Sequence, residues 1–165
     1  MAKITLKGNP LSTFGELPRV GAIAPEFTLT KRDLSSINSI SYKGKKIILN
    51  VFPSVDTPVC AQSVKKFNQS AAKGNSVVLC VSMDLPFAAS RFCGAEGIEN
   101  VEFLSGFRGG TFGIDYGVKI VDGPLEGLFA RAIVVIDENG KVIYNELVPE
   151  IAQEPDYDKA LKALA

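Results

Sequence analysis

The sequence predicts an α/β protein in which helices flank both faces of a central mixed sheet, preceded by an N-terminal β-hairpin. Two apolar runs, residues 47–52 and 77–83, have the length of buried strands, and a segment with helical spacing separates them. Further on, residues 132–136 and 141–144 flank the turn-forming residues 137–140, which indicates an antiparallel pair. A parallel unit and an antiparallel pair together indicate a mixed sheet.

The N-terminal residues predict short extended elements. Residues 4–7 and 11–14 are expected to form a hairpin around the turn residues 8–10. Residues 27–30 alternate between apolar and polar side chains, as in a half-buried strand. The polar stretch that follows, up to Gly44, predicts no regular element.

The segment between the two apolar runs predicts a helix over residues 61–72. Val64, Phe67 and Ala71 recur at three- and four-residue spacing, Pro58 suits the first turn, and Gly74 is expected to end the helix. The resulting strand-helix-strand unit is expected to cross over with a right hand.

The remaining elements follow from the same patterns. A second helix is expected from Pro86 to about residue 95, a short strand at 101–104 and a helical turn around 111–116. A last helix is expected over 156–165, capped by Asp156. This layout is typical of a thioredoxin-like fold.

The composition limits the number of domains and the classes of partner that the chain is expected to have. Its 165 residues contain no internal repeat and no linker, which predicts a single domain over residues 1–165. Lys and Arg total 18, as do Asp and Glu, so nucleic acid and membranes are not expected partners. Neither a signal peptide nor a membrane-spanning run is recognisable, which predicts a soluble protein of the cytoplasm.

The histidine and cysteine counts restrict the chemistry. The sequence has no histidine, which excludes catalytic mechanisms and zinc sites that depend on imidazole. Its cysteines, Cys60, Cys80 and Cys93, are too few for a disulfide framework and fit a cytosolic protein. No metal site is expected from three scattered thiols.

Cys60 lies where a loop after a buried strand enters a helix. Unpaired N–H groups at a helix start favour a thiolate over a thiol, so this cysteine can act as a nucleophile without histidine. The Thr57 hydroxyl, three residues earlier, is within reach of the same sulfur. Alternatively, Cys60 packs as a small apolar residue while Thr57 caps the helix. Position alone leaves both readings open.

The motif Pro53-x-x-x-Thr57-x-x-Cys60 resembles the active-site motif of peroxiredoxins, and the fuller segment 52–60 is similar to that of bacterial thiol peroxidases. Segments 84–95, 122–125, 130–132 and 154–157 resemble the same subfamily, so the resemblance covers nearly the whole chain. It implies an atypical two-cysteine peroxiredoxin with a thioredoxin-like fold.

The resemblance implies a role for each matching residue. Cys60 would attack a hydroperoxide and become a sulfenic acid, Thr57 would hydrogen bond the sulfur and the peroxide, and Pro53 would shield the sulfur. Arg131 would stabilise the thiolate and the developing charge. Spacing alone does not select Arg131 among the arginines, and the alternative for it is a surface charge at a strand edge.

The other two cysteines have different expected roles. The resemblance implies that Cys93 is the resolving cysteine, forming an intramolecular disulfide with Cys60. Its place beside Gly94, late in a helix, suggests an end that frays and exposes the thiol, whereas the alternative is a buried helix cysteine. Cys80 lies inside an apolar strand and is expected to pack there.

The function implied is a thioredoxin-dependent peroxidase that reduces hydrogen peroxide and organic hydroperoxides in antioxidant defence. The resemblance also implies a homodimer, and it requires no metal, haem or flavin cofactor. Two other classes remain open at this point: a peroxide-sensing relay that passes oxidation from the same cysteine pair to a partner protein, and a structural module with an inert Cys60.

Overall fold

The fold consists of a seven-stranded sheet, a separate two-stranded hairpin and four α-helices. A computed structural model describes residues 1–71 and 76–165. The strands are β1 (Lys3–Leu6), β2 (Asn9–Ser12), β3 (Thr28–Lys31), β4 (Ser36–Asn38), β5 (Lys46–Val51), β6 (Ser76–Ser82), β7 (Glu102–Ser105), β8 (Ala132–Ile136) and β9 (Val142–Leu147). The helices are α1 (Pro58–Ala71), α2 (Pro86–Glu96), α3 (Phe112–Asp115) and α4 (Tyr157–Ala163), with a 3-10 turn at Ser39–Tyr42.

The large sheet is mixed, as the sequence predicts. Its strand order is β4-β3-β7-β6-β5-β8-β9, in which β5, β6 and β7 are mutually parallel and the other pairs are antiparallel. Helix α1 connects β5 to β6, and α2 connects β6 to β7. The parallel strands therefore end at one common edge of the sheet, where the loops into α1 and α2 begin.

Side chains of the central strands alternate between two buried clusters. Ile48 and Cys80 face the cluster that also contains residues of α1, α2 and α4, whereas Leu49 faces the opposite cluster. The three longer helices thus cover one face of the sheet. The short α3, the 3-10 turn and loop residues such as Phe27 cover the other face.

The structure differs from the sequence prediction in the polar stretch before β5. Residues 36–38 form an edge strand paired with β3, and the Asn38 side chain then accepts a hydrogen bond from Ile40 N at 2.9 Å to start the 3-10 turn. An edge strand needs no run of apolar residues, so hydrophobic pattern does not reveal it. The first hairpin also turns one residue earlier than expected, at Lys7 and Gly8, which both have positive φ.

The helix ends largely match their predicted signals. Pro58 opens α1, and Asp156 caps α4 by accepting from Lys159 N at 3.1 Å. Helix α2 runs to Glu96 and ends at Gly97, whose left-handed conformation lets its N–H and that of Ile98 reach the Cys93 carbonyl. The predicted stop at Gly74 lies outside the described residues. Among those that are described, no helix is long and apolar enough to cross a membrane.

Candidate active site

The loop that follows β5 carries three of the predicted site residues. Pro53 is buried directly beyond the strand end, Thr57 is exposed, and Cys60 is fully buried in the first turn of α1. Because α1 starts at Pro58, the backbone N–H groups of its first turn have no intrahelical partner, and their partial positive charge lies beside the sulfur. The sequence prediction that Cys60 lies in the first turn of a helix is confirmed.

Strand pairing brings Arg131 to this loop. Strands β5 and β8 are antiparallel with Val51 opposite Ala132, so Arg131 lies opposite the residue that follows β5. The Arg131 guanidinium donates from Nη2 to Cys60 Sγ at 3.2 Å and from Nε to the Ile151 carbonyl at 2.8 Å. Only 1% of Arg131 is exposed, so the alternative of a surface charge at a strand edge is wrong.

The positive charge of Arg131 is buried and lies against the Cys60 sulfur. Within residues 1–71 and 76–165, no carboxylate forms an ion pair with Arg131, and its Nη1 has no hydrogen-bond partner. A buried cation without a counter-ion is strongly unfavourable. The Cys60 sulfur accepts a hydrogen bond from this cation. A guanidinium in this position can stabilise negative charge that develops on the sulfur or on an oxygen bound beside it.

The Thr57 hydroxyl is not bonded to the sulfur in this structure. It donates to the Ser54 carbonyl at 2.9 Å, which closes a short turn ahead of α1. The hydroxyl is exposed and its oxygen retains acceptor capacity. The structure thus brings Cys60 and Arg131 into contact and leaves Thr57 facing the solvent side of the same turn.

Asp84, in the loop after β6, fixes the position of that turn. Its carboxylate accepts hydrogen bonds from Ser54 Oγ at 2.7 Å, Val55 N at 2.8 Å and Ser82 Oγ at 2.7 Å. The loops from two neighbouring parallel strands are therefore joined by one side chain. The sequence indicates Asp84 only as part of a segment that resembles the family. Its local sequence signal is a single acidic residue in the loop that follows a buried strand.

Cys93 lies in α2 and is buried, contrary to the expectation of a frayed and exposed end. The helix continues past it, and only 4% of the residue is exposed. Burial raises the pKa of the Cys93 thiol, and the charge of Arg32 only partly opposes that rise. In this state Cys93 is a protonated, sheltered thiol.

Cys80 packs in the interior as predicted. It is fully buried in β6, and burial raises its pKa to about 12, which keeps it a thiol at neutral pH. Asn50 Nδ2 is its polar neighbour, 3.7 Å from the sulfur. All three cysteines of the sequence lie within the described residues, and all three are free.

Cys60 and Cys93 lie on different helices. Both cysteines belong to the cluster on the helix-covered face, but Cys60 is at the start of α1 and Cys93 is near the end of α2. Both thiols are buried and free. A disulfide requires α-carbons within about 7 Å, which makes the positions of these two helices decisive for any bond between the pair.

Several known proteins are similar to this chain in sequence and in fold. The Redoxin family model matches residues 19–161. Proteins described as thiol peroxidases from Mycobacterium tuberculosis and Corynebacterium glutamicum are 63% and 56% identical to the chain, each over 99% of both sequences. A crystal structure of a peroxiredoxin-like protein from Aquifex aeolicus superposes with a TM-score of 0.92 at 42% identity, covering 99% of this chain and 96% of that one.

The chain belongs to the redoxin family, whose thioredoxin-like fold the sequence predicts. The full-length identity to thiol peroxidases narrows the assignment further. The protein is an enzyme, a thiol-dependent peroxidase of the peroxiredoxin kind, and the resemblance found in its sequence is confirmed. A purely structural module is thereby excluded.

Proposed function

We propose that the protein reduces hydrogen peroxide and organic hydroperoxides with Cys60 as the attacking thiolate, Cys93 as the resolving thiol and thioredoxin as the reductant. The observation that carries the proposal is the buried contact of 3.2 Å between Arg131 Nη2 and Cys60 Sγ. Within residues 1–71 and 76–165 the Arg131 guanidinium has no carboxylate partner and donates to a cysteine sulfur, an arrangement suited to hold a nucleophilic thiolate.

The first step transfers one oxygen atom to Cys60. The thiolate attacks the terminal peroxide oxygen, the O–O bond breaks, and the leaving oxygen takes up a proton to become water or an alcohol. Cys60 is oxidised by two electrons to a sulfenic acid. Arg131 Nη1 has no protein partner among the described residues and is the donor available to the peroxide oxygens.

Thr57 and Pro53 support this first step in our proposal. Rotation of the Thr57 hydroxyl away from the Ser54 carbonyl directs it to the sulfur side of the turn, where it orients the peroxide. Pro53, buried beside the strand end, limits the access of water to the sulfenic acid.

The second step forms a disulfide between Cys60 and Cys93. The Cys93 thiolate attacks the sulfenic sulfur, the S–S bond forms, the S–O bond breaks, and the hydroxide that leaves is protonated to water. Because the two residues lie on separate helices, α1, α2 or both unwind locally before this attack. Thioredoxin then reduces the disulfide by thiol exchange.

The working form in this proposal is a cytoplasmic homodimer. The support is the full-length similarity to thiol peroxidases together with a thiol chemistry that needs a reducing compartment. Each subunit of such a dimer carries both Cys60 and Cys93.

A thiol count with intact mass tests the proposal. Fully reduced protein has three free cysteines. After about one equivalent of an organic hydroperoxide, we expect two of them to be lost, together with two hydrogen atoms of mass, in a bond that peptide mapping assigns to Cys60 and Cys93. Thioredoxin and its reductase should restore all three thiols.

Cys93→Ser is the variant that separates the two steps. It should be oxidised once at Cys60, gain one oxygen and then stall or overoxidise, because no thiol resolves the sulfenic acid. A Cys93→Ser protein that still cycles with thioredoxin contradicts the resolving role. Wild-type protein that keeps three thiols after peroxide treatment contradicts the entire cycle.

The rate of disulfide formation is expected to rise with pH. Burial raises the pKa of Cys93 above its ordinary value of 9.0 in the folded helix, so the unwound form loses its proton at lower pH than the folded form. Rising pH therefore increases the fraction of the unwound form in which Cys93 is the attacking thiolate. We expect about a tenfold increase per pH unit between about pH 6 and about pH 8.

Rapid acid quench followed by alkylation and mass analysis measures this rate. The protein is first oxidised with one equivalent of hydroperoxide at each pH, and the decay of the sulfenic acid into disulfide is then followed. A rate that does not change across the range contradicts a protonated, buried Cys93 as the attacking group.

A further inference from the structure

Asn50 is an unexpected residue for a buried strand in the interior of the sheet. It lies in β5 among apolar neighbours and is fully buried. Its Oδ1 accepts no hydrogen bond from any residue that the structure describes. An unpaired buried acceptor lowers the stability of the folded protein, so this amide calls for an explanation other than packing.

The Asn50 amide is linked to the backbone of Cys60 through one hydroxyl. Asn50 Nδ2 donates to Ser63 Oγ at 3.2 Å, and Ser63 Oγ donates to the Cys60 carbonyl oxygen at 2.8 Å. Ser63 is also fully buried. The first turn of α1 is therefore tied to the central strand by two consecutive hydrogen bonds without access to water.

This link is anchored in a strand that is hydrogen bonded on both sides. Strand β5 is paired with β6 on one side and β8 on the other, and Asn50 lies opposite Cys80 and Ile133 in those pairs. The strand cannot follow a helix that unwinds. Displacement of Cys60 toward Cys93 moves the Cys60 carbonyl, so it must break the bond from Ser63.

We propose that Ser63 and Asn50 are positioning residues that set how readily the first turn of α1 opens, and thereby decide the fate of the Cys60 sulfenic acid. The inference rests on the proposed disulfide cycle. In the open turn, Cys93 displaces water and forms the disulfide. In the closed turn, a second hydroperoxide transfers an oxygen to the sulfenic sulfur, which becomes a sulfinic acid as water or alcohol leaves.

The Ser63→Ala variant tests this inference. It removes the hydroxyl that holds the Cys60 carbonyl but no group that contacts the sulfur. We expect disulfide formation to accelerate about five- to tenfold, as for the loss of one buried hydrogen bond. The rate of the first oxidation should stay within about twofold of wild type, because that step takes place in the closed turn.

A single-turnover branching experiment measures the effect. Reduced protein is mixed with increasing excess of cumene hydroperoxide in the absence of reductant, and intact mass gives the ratio of sulfinic acid to disulfide. The hydroperoxide concentration at which the two products are equal should rise about five- to tenfold in Ser63→Ala. A residue that merely supports folding would not shift this ratio selectively.

Ser70→Ala is the matched control on the same helix. Ser70 Oγ donates to the Lys66 carbonyl at 3.2 Å, a bond of the same kind, but Ser70 is near the opposite end of α1 from Cys60. This variant should keep the wild-type branching concentration.

A second variant decides the question if Ser63→Ala does not fold. Asn50→Ala removes the anchor on the strand and leaves the Ser63 hydroxyl in place, so the branching concentration should rise in the same direction. Wild-type branching in every folded variant overturns the inference, as does a shift toward sulfinic acid. Absence of any Cys60–Cys93 disulfide in wild-type protein would instead overturn the proposed function.

Discussion

Replacing Cys60 with Ser is expected to reduce hydroperoxide consumption to the uncatalysed rate, a loss of about 10⁶-fold. A serine hydroxyl is not ionised at neutral pH, and it cannot act as the counter-ion that the buried Arg131 guanidinium requires. The assay couples peroxide consumption to thioredoxin, thioredoxin reductase and NADPH. Mass analysis of the same samples should show no oxygen added to the protein.

Cys80→Ser is the control for this prediction. Cys80 is buried in β6, and its raised pKa makes it a thiol without nucleophilic character at neutral pH. The Cys80→Ser variant should therefore take up the first oxygen at a rate within about twofold of wild type. Residual turnover in Cys60→Ser together with a loss in Cys80→Ser would reverse the roles of the two cysteines.

Replacing Arg131 with Met is expected to slow the oxidation of Cys60 by about 10²–10³-fold. The substitution keeps a long apolar side chain but removes the donor to the sulfur and the positive charge. Both the stability of the thiolate and the stabilisation of charge along the O–O bond are lost. Stopped mixing with substoichiometric hydroperoxide and mass analysis gives this rate separately from resolution.

Arg108→Met is the matched control for the arginine. Arg108 is exposed and lies over the Phe107 ring, so the same substitution there should leave the oxidation rate unchanged. Removal of the buried charge should not unfold Arg131→Met, because a buried cation replaced by an apolar group of similar size is often tolerated. A folded Arg131→Met protein with wild-type oxidation would remove Arg131 from the proposed mechanism.

Much of the fold is predictable from the sequence because its core strands carry continuous apolar runs. Residues 132–136 form the predicted strand without any shift of bounds, and the elements around Pro58 and Pro86 start where proline indicates. Strand β4 is the exception. It forms because residues 36–38 pair with β3 at the sheet edge. The local sequence pattern does not encode that tertiary interaction.

The site is predictable only in part for the same reason. Cys60 has a local signal, the entrance to a helix, whereas Arg131 is 71 residues away and reaches it through the register of β5 and β8. That register is not readable from spacing. Asn50 has a sequence signal, because it is a polar residue within the apolar run 47–52, but its link to Ser63 depends on the packing of α1 against the sheet.

The anchoring of Arg131 at the start of a paired strand has a consequence for the reductive half of the proposed cycle. The guanidinium is held by the Ile151 carbonyl and cannot accompany Cys60 when α1 opens, so disulfide formation leaves it without its anionic partner. Reduction returns the thiolate to that partner. Stabilising the dithiol form in this way shifts the reduction potential of the Cys60–Cys93 couple upward, which makes the disulfide a better electron acceptor for thioredoxin.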